Sequence, residues 1–595
     1  IPISMLLNGI TMMGIKAKLR TAGLFLKNVW MKEQPSHAEH ELVHRRVEEV
    51  VSDLACESTL SDENDKITYV KLNSNANKLA RLLIHEIQST PGLLENRKSI
   101  ITIILDHGQD LVMSILAVLK MNMAYLPIDP TAPLEKVCQK IDECRPLCVV
   151  MGQSVGVSAK VREFLVRRCI AFDIGKLKEL MEDYDEDNIS TSEQIVEDNH
   201  QRGLAVVLYT SGHRHRPQGV RITHKNIINQ VEHHLQSFPM IDKEKLCIKM
   251  SPIFVESIVE IFLPLMSGVD SVIAPRSHLS SAIDSIEFLD ANKITRLHTT
   301  PYFFKSMIDV LKRRDTGKTC LDSLHLWLVS GEMMHSSSLT QFFDIFPSNK
   351  EVCNAYSMSE TTGDFLFSVY RSKKDVMKCT TMAKLPFTTL LENSSLYLQD
   401  KEGNVLLGNG RGEAFVGGSC VADGYMLRTL QDSFVTTNQE GKKFNDGCHI
   451  FQTGDIMKRL DGLYFFEGRV KDEIKMLGKN VNLHDIEELA LSVDNALKAA
   501  AILIETEENT ESIVLFIESE SPSEETVPAV EERLKCFLES ANVPCKIVLS
   551  RKIPILENGK VDHRYLKAWY RKTFVNGIRQ TNVQTSPSIG NMSEA

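Results

Sequence analysis

The sequence holds no apolar run approaching the roughly 18 residues that a membrane-crossing helix needs, so no transmembrane span is expected. It has no Cys-x-x-Cys pair, and its 13 cysteines are odd in number and scattered. That pattern argues against a disulfide framework and a paired-cysteine zinc site, and it fits a reducing compartment. An excess of positive charge is also missing. Lys plus Arg is 68 against 78 for Asp plus Glu, a formal net charge of -10, so no global basic field exists for gripping nucleic acid. No internal repeat is present. What remains is 595 residues, 43% hydrophobic and 25% charged, the balance of a globular chain too long for one compact unit.

The chain opens at Ile1, which leaves its natural start open. Residues 1–32 carry Lys16, Lys18, Arg20, Lys27 and Lys32 and no acid before Glu33. This segment reads either as a transit-type or membrane-surface helix or as an extension packed on the first domain. Beyond it, helix and strand patterns alternate. Asn75–Ile84 has helical spacing, Ser99–Leu105 is a β-branched run, and Leu111–Lys120 is helix-like. Cys148–Met151 and Leu204–Leu208 read as further buried strands. Alternation of this kind predicts an α/β architecture with largely parallel sheets. Residues 181–200 are acidic and polar and read as a solvated loop.

After about residue 390 the texture changes to alternating segments with Gly-rich turns, the mark of hairpins in a β subdomain. From about Lys471 a smaller α/β unit is expected, with a helix near Asp485–Val493, strands near Ala500–Ile504 and Ser512–Ile517, and a turn at Asn558-Gly559. The expected division is an extension (1–36), a large domain (37–470) of two α/β sheet subdomains plus a β subdomain, a small mobile α/β lid (471–572) and a polar tail (573–595).

At Leu208 a predicted strand runs into YTSGHRHRPQGV (209–220), and hydroxyls with backbone amides at a strand end suit a phosphate. It stands in order with AYLPIDPTAP (124–133), NAYSMSETTGD (354–364), GEAFVGGSCVADGY (412–425), FQTGD (451–455), GRVKDEIKMLGKNVNLHDIE (468–487) and NGKVDHR (558–564). Together these resemble the core motifs of the adenylate-forming superfamily, over about residues 40–570. AYLPIDP and FVESIVEIFLPL (254–265) resemble the amino-acid-activating adenylation domains of nonribosomal peptide synthetases more than fatty acyl ligases. WLVSGEMM, FFDIFP and the 356–364 stretch are most similar to the insect β-alanyl-amine synthases of the Ebony type.

That resemblance implies ATP and Mg²⁺ as cofactors, and it implies roles for individual residues. Lys560 matches the catalytic lysine that offsets charge between the substrate carboxylate and the α-phosphate. Glu360 matches the metal-linked, catalytic glutamate. Thr210, Ser211 and Gly212 match the phosphate loop. Gly331 and Glu332 match the adenine-pocket segment, Tyr356 the aromatic that stacks on adenine, and Asn354 a residue at the base edge. Asp455 matches the carboxylate that accepts from the ribose hydroxyls, with Arg469 beside it. Where such domains carry an Asp for the α-ammonium, this chain has Val255, and the acid follows at Glu256. An acid displaced along the chain suits an amine displaced along the substrate, as in β-alanine; otherwise Glu256 is a surface or strand-edge residue.

The chain also departs from the pattern. The resemblance implies TSGTTGxPKG, but His213, Arg214 and His215 replace two hydroxyl residues and a glycine, and Gln218 replaces a lysine. A Cβ at a glycine position restricts close backbone approach. Gln452 stands for a basic residue, Lys471 for the hinge Asp, and Leu477 for an Arg, while Lys475 is retained. His213, His215, His224, His233 and His234 form a histidine-rich stretch, read as a solvated basic loop rather than a metal site. The expected function is ATP-dependent activation of a small amino acid, or another carboxylic acid, as an acyl-adenylate for a carrier protein, amine or CoA acceptor. The alternatives are an acyl-CoA ligase and a non-catalytic nucleotide- or partner-binding protein on the same fold. A cytoplasmic location is expected, or a mitochondrial one if the basic segment is a leader.

Overall fold

The structure is a computed structural model. It describes residues 42–575 except 54–56, 92–96, 153–156, 196–202, 211–216, 280, 314–319, 381–383, 428–432, 437–448, 477–478, 492, 494–495, 506–510, 520–527, 529, 532–533, 535–544 and 556–560. The basic segment, the tail beyond residue 575, Ser211–Gly212, the replaced residues His213, Arg214 and His215, Leu477, the Asn558-Gly559 turn and Lys560 lie outside the described residues.

The β-branched run becomes strand Lys98–Ile104, whose last five residues are buried. It sits inside a six-stranded sheet between Pro146–Met151 and Ala124–Pro127, parallel to both. Leu204–Tyr209 continues that sheet, and Gly219–Thr223 closes it antiparallel. Helices Tyr69–Gln88 and Gln109–Lys120 pack together over it, the first started by the Thr68 hydroxyl accepting from Lys71 N–H.

A second, nine-stranded sheet shares the same apolar core. Strands Arg296–Thr299, Leu326–Val329 and Glu351–Met358 run parallel in neighbouring positions. Their carboxyl ends lie side by side, the edge where α/β sheets hold ligands. Helix Ser257–Ser267 approaches that edge, its first ten residues buried, which is why SIVEIFLPLM carries so little polar character. A five-stranded antiparallel sheet follows, containing Ser394–Gln399, Gly410–Gly418, His449–Leu460 and Leu463–Arg469. The last described sheet is three-stranded, Lys498–Glu505, Glu511–Glu518 and Cys545–Ser550. Helix Leu483–Leu491 packs on it and meets the nine-stranded side through Lys384 Nζ to Asp485 Oδ1 (3.1 Å) and His484 Nε2 to Met333 Sδ (3.3 Å).

The acidic segment is the mostly exposed loop expected, and it is also tethered. Its described part, up to residue 195, is a strap clamped along helix Tyr69–Gln88. Lys78 Nζ meets Glu182 at 2.9 Å, Arg81 Nε meets Glu193 at 2.8 Å, and Asn77 Nδ2 donates to the Glu186 carbonyl at 2.7 Å. Charge spacing explains it: 77, 78 and 81 lie on one helical face, which composition alone does not reveal.

No helix among the described residues is long and apolar enough to cross a membrane.

Candidate functional site

Strand Glu351–Met358 carries the centre of the site. Successive side chains of a strand face opposite ways, and here a register shift falls between Tyr356 and Ser357. Asn354 is buried in this strand. The Tyr356 hydroxyl donates to Asp455 Oδ2, and its ring stands 5.1 Å from Phe365 and 5.9 Å from Phe466. Burial, then the Asp455 charge, drives the Tyr356 phenol well above the ordinary tyrosine range.

Asp455 and Arg469 are cross-strand partners of the antiparallel sheet, and Arg469 Nε lies 3.1 Å from Asp455 Oδ1. The Asp455 N–H donates to Thr453 Oγ1 at 3.0 Å, so the TGD turn fixes its own carboxylate. Lys471 lies within electrostatic reach of both Arg469 and Asp455. Gln452, a further departure, donates to Glu413 Oε1 at 2.9 Å.

Gly331 follows strand Leu326–Val329 at φ 94°, a conformation that explains the glycine of SGE. Glu332 lies within reach of the Lys498 charge. Thr210 leaves strand Leu204–Tyr209 and its N–H donates to the Gln218 carbonyl at 3.0 Å, closing the base of the segment between them.

Glu360 is buried in the short 3-10 turn Ser359–Thr361. Tyr425 Oη donates to its Oε1 at 2.8 Å, and its carbonyl accepts from Ala422 N–H at 3.0 Å. Among the described residues no three or more His, Cys, Asp and Glu side chains converge as a metal-holding group. A lone hard carboxylate nevertheless suits Mg²⁺, which keeps waters and arrives with polyphosphate rather than in an all-protein cage.

Glu256 is not a free surface acid. It is half-buried at the start of helix Ser257–Ser267, and Ser357 Oγ donates to its Oε1 at 3.1 Å. Its charge is felt by two further acids that the sequence reading did not single out. Burial foremost, with Glu256 as a contributor, pushes both Glu260 and Asp364 up to about 7. Glu260 Oε2 accepts the Lys249 and Met250 N–H groups at 2.7 and 2.6 Å. Asp364 faces His298 Nε2 at 3.8 Å and His234 Nε2 at 4.0 Å. The signal for Asp364 was its place at the end of NAYSMSETTGD.

The histidines also differ from expectation. His224, His233 and His234 belong to helix His224–Ser237 and are buried, not in a solvated loop. Burial lowers all three, His224 to about 3 and His233 to about 4, so they are neutral near pH 7.

Residues 43–426 match the AMP-binding enzyme family. The chain is 27% identical over 517 residues to the beta-alanyl-bioamine nonribosomal peptide synthetase ebony of Drosophila melanogaster, covering 84% of this chain and 56% of that protein. It is 26% identical over 510 residues to zwittermicin A synthase ZmaJ of Bacillus cereus, covering 85% of this chain and 90% of the relative. The chain thus spans about half the length of the first of these relatives.

Among solved structures, Klebsiella oxytoca NpsA in complex with 3-hydroxyanthranilyl-AMSN superposes with a TM-score of 0.73 at 17% identity, covering 89% of this chain and 99% of that one. ATP-bound MatB from Rhodopseudomonas palustris gives 0.72 at 18% identity, with coverages of 89% and 99%. The fold is therefore that of the adenylate-forming enzymes. With the matched region spanning well over half its length, the chain belongs to the AMP-binding enzyme family.

Proposed function

We propose that this chain uses ATP to activate a small amino acid, its amine set away from the α-carbon as in β-alanine, as an acyl-adenylate. The observation that carries the reading is the pairing of adjacent residues. Tyr356 contacts the carboxylate proposed for ribose, Asp455, while Ser357 contacts Glu256, proposed for the substrate amine. One strand thereby sets the spacing between nucleotide and amine.

In the proposed reaction a substrate carboxylate oxygen bonds to the α-phosphorus, the bond from that phosphorus to the bridging oxygen breaks, and pyrophosphate leaves. Asp455 and Arg469 orient the nucleoside, and Tyr356 and Asn354 serve the adenine. The Gly331–Glu332 segment lines the adenine pocket, and Thr210, Ser211 and Gly212 take the phosphates. Glu360 is the residue that would hold Mg²⁺, which supplies charge for the departing polyphosphate. Lys560 offsets charge at the α-phosphate, carried in by rotation of the unit after Lys471.

Two carboxyl groups within electrostatic reach of each other, Glu256 and Asp364, favour a cationic group on the substrate and disfavour a plain acyl chain. The relative whose printed name joins β-alanyl to a bioamine supports the substrate class. The acceptor we assign is a carrier-bound thiol.

The test is ATP–pyrophosphate exchange with β-alanine, α-amino acids and short acids, using Lys560→Ala as the blank. Exchange with β-alanine, lost in the variant, is expected. Silence across the panel with ATP still bound would identify a non-catalytic nucleotide binder, and preference for an amine-free acid would identify an acyl ligase.

A further inference from the structure

The motif GEAFVGGSCVADGY ends in a stretch, residues 419–426, to which the proposed reaction gives no task. Hydrogen bonds leave this stretch in two directions. On one side is strand Gly219–Thr223, which returns from the loop proposed to take the phosphates. Met426 N–H donates to the Gly219 carbonyl at 2.7 Å, Arg221 N–H to the Gly424 carbonyl at 2.9 Å, and Asp423 N–H to the Arg221 carbonyl at 2.8 Å. The Arg221 guanidinium closes on Asp423 Oδ2, with Nη2 at 2.9 Å and Nε at 3.2 Å. Asn226, in the first turn of helix His224–Ser237, donates through Nδ2 to the Ser419 and Val421 carbonyls at 2.8 and 3.0 Å.

On the other side is the 3-10 turn Ser359–Thr361 with Glu360. Ala422 N–H donates to the Glu360 carbonyl at 3.0 Å, and Thr362 Oγ1 donates to the Cys420 carbonyl at 2.9 Å. Tyr425 Oη reaches the side chain itself, donating to Glu360 Oε1 at 2.8 Å. The Tyr425 ring is buried and meets Phe434 edge-on at 5.0 Å, so its hydroxyl is aimed by packing. Gly424 stands at φ 96°, a conformation costly for a side chain. That turn lets the 424 carbonyl face Arg221 while the next residue reaches Glu360.

We propose that residues 419–426 are a splint that keeps the strand returning from the phosphate-side loop in register with Glu360, and that Tyr425 is the positioning residue at its end. This rests on the reading of Glu360 as the residue that would hold Mg²⁺. Such an ion tolerates little error in the placement of its oxygen ligands, and it would meet a carboxylate from one element and phosphates seated by another. The two elements are more than a hundred positions apart in the chain, and the splint bonds to both. A carboxylate turns broadly about its last torsion, and a donor fixed on one oxygen sets the direction of the other. Packing against Phe434 would be served equally by phenylalanine; the hydroxyl of Tyr425 serves Glu360.

Calorimetric titration with ATP, in EDTA and in MgCl₂, reads this through binding. The ratio of the two dissociation constants is the Mg²⁺ factor. Tyr425→Phe should lower that factor by about tenfold, the order expected for losing a hydrogen bond to a charged group, and leave the constant in EDTA unchanged. Unchanged affinity in EDTA shows that the nucleotide site is intact. In a Glu360→Gln background Tyr425→Phe should add nothing, because Tyr425 acts through Glu360. A parental Mg²⁺ factor in Tyr425→Phe, or losses that add in the double variant, would overturn the role of Tyr425.

Hydrogen exchange on the ligand-free chain tests the splint by itself. Arg221→Met cuts only the strand side and should speed exchange of peptides covering 359–363 by about threefold or more. Tyr425→Phe cuts only the Glu360 side and should speed exchange of peptides covering 219–223. Peptides of strand Lys98–Ile104 should keep the parental rate in both, which excludes global unfolding. Cutting one side with no change on the other would overturn the splint. A parent that binds no ATP would instead remove the nucleotide reading, and the assignment of Tyr425 with it, while the exchange rates still decide whether the two elements are coupled.

Discussion

Ser357 donates its hydroxyl hydrogen to Glu256 at 3.1 Å, one residue after Tyr356 donates to Asp455. Glu256 is therefore held by the same strand that holds Asp455. Glu256→Gln should lower kcat/KM for β-alanine by about 10²-fold, the order expected for losing a partly desolvated charge pair. Short acids without an amine should lose little. Ser357→Ala, which removes only the brace, should cost about tenfold or less. Exchange kinetics on the two substrate types check both, and equal losses for amine and amine-free acids would remove Glu256 from the pocket.

Asp455 is fixed by Arg469 at 3.1 Å and by its own turn, so its position does not depend on a ligand. Asp455→Asn should raise the ATP dissociation constant by about tenfold, through loss of charge-assisted acceptors worth about 1.5–3 kcal/mol. Tyr356→Phe keeps the ring and should change ATP affinity far less than Tyr356→Ala. Calorimetric titration with ATP reads both. Indistinguishable Phe and Ala variants would mean that the ring has no part in nucleotide binding.

Residues that the motif order grouped do meet in the structure, Tyr356 with Asp455 and Asp455 with Arg469, and Gly331 holds a positive φ that suits glycine. The sheets were legible too, since SIITIIL and LAVVL have no polar face to offer solvent. The approach of Asp364 to His298 was not, because it comes from strands far apart in the chain meeting in one sheet. The tethering of the acidic loop was hidden for a similar reason. Its acids find Lys78 and Arg81 more than a hundred positions away in the chain, a pairing that local composition cannot announce.

The same limit hid a buried ion pair. Glu48 lies between Lys120 and Arg45, and both Glu48 and Lys120 are almost wholly buried. Burial depresses Lys120 to about 8, Glu48 opposing it, so the folded state sheds this proton before the unfolded chain does. The unfolded chain then binds more protons between about pH 8 and the ordinary lysine range, and the Lys120 contribution to stability rises with pH across that window. Glu48→Gln leaves the ammonium uncompensated and should cost about 3–5 kcal/mol at pH 7, moving the window lower. Glu48→Leu with Lys120→Met should be far milder. Urea melts at several pH values decide it, and a single variant no worse than the double one would mean the pair is not buried in solution.

The loop proposed to take the phosphates carries the largest departure from the motifs it resembles, and restoring it tests whether it limits activity. In its family the loop approaches phosphate with backbone amides, an approach that a glycine permits and a Cβ obstructs. His213→Thr, Arg214→Thr and His215→Gly together restore both hydroxyls and the glycine. If the loop limits turnover, the triple variant should raise kcat for exchange by about tenfold or more, since each regained hydrogen bond to a charged group is worth about 1.5–3 kcal/mol. Its ATP affinity need not rise, because removing Arg214 also removes a charge that attracts polyphosphate. A gain in kcat with unchanged or weaker ATP binding is therefore the expected signature. A triple variant with no gain in kcat would move the limit to the amine pocket or to the rotation about Lys471.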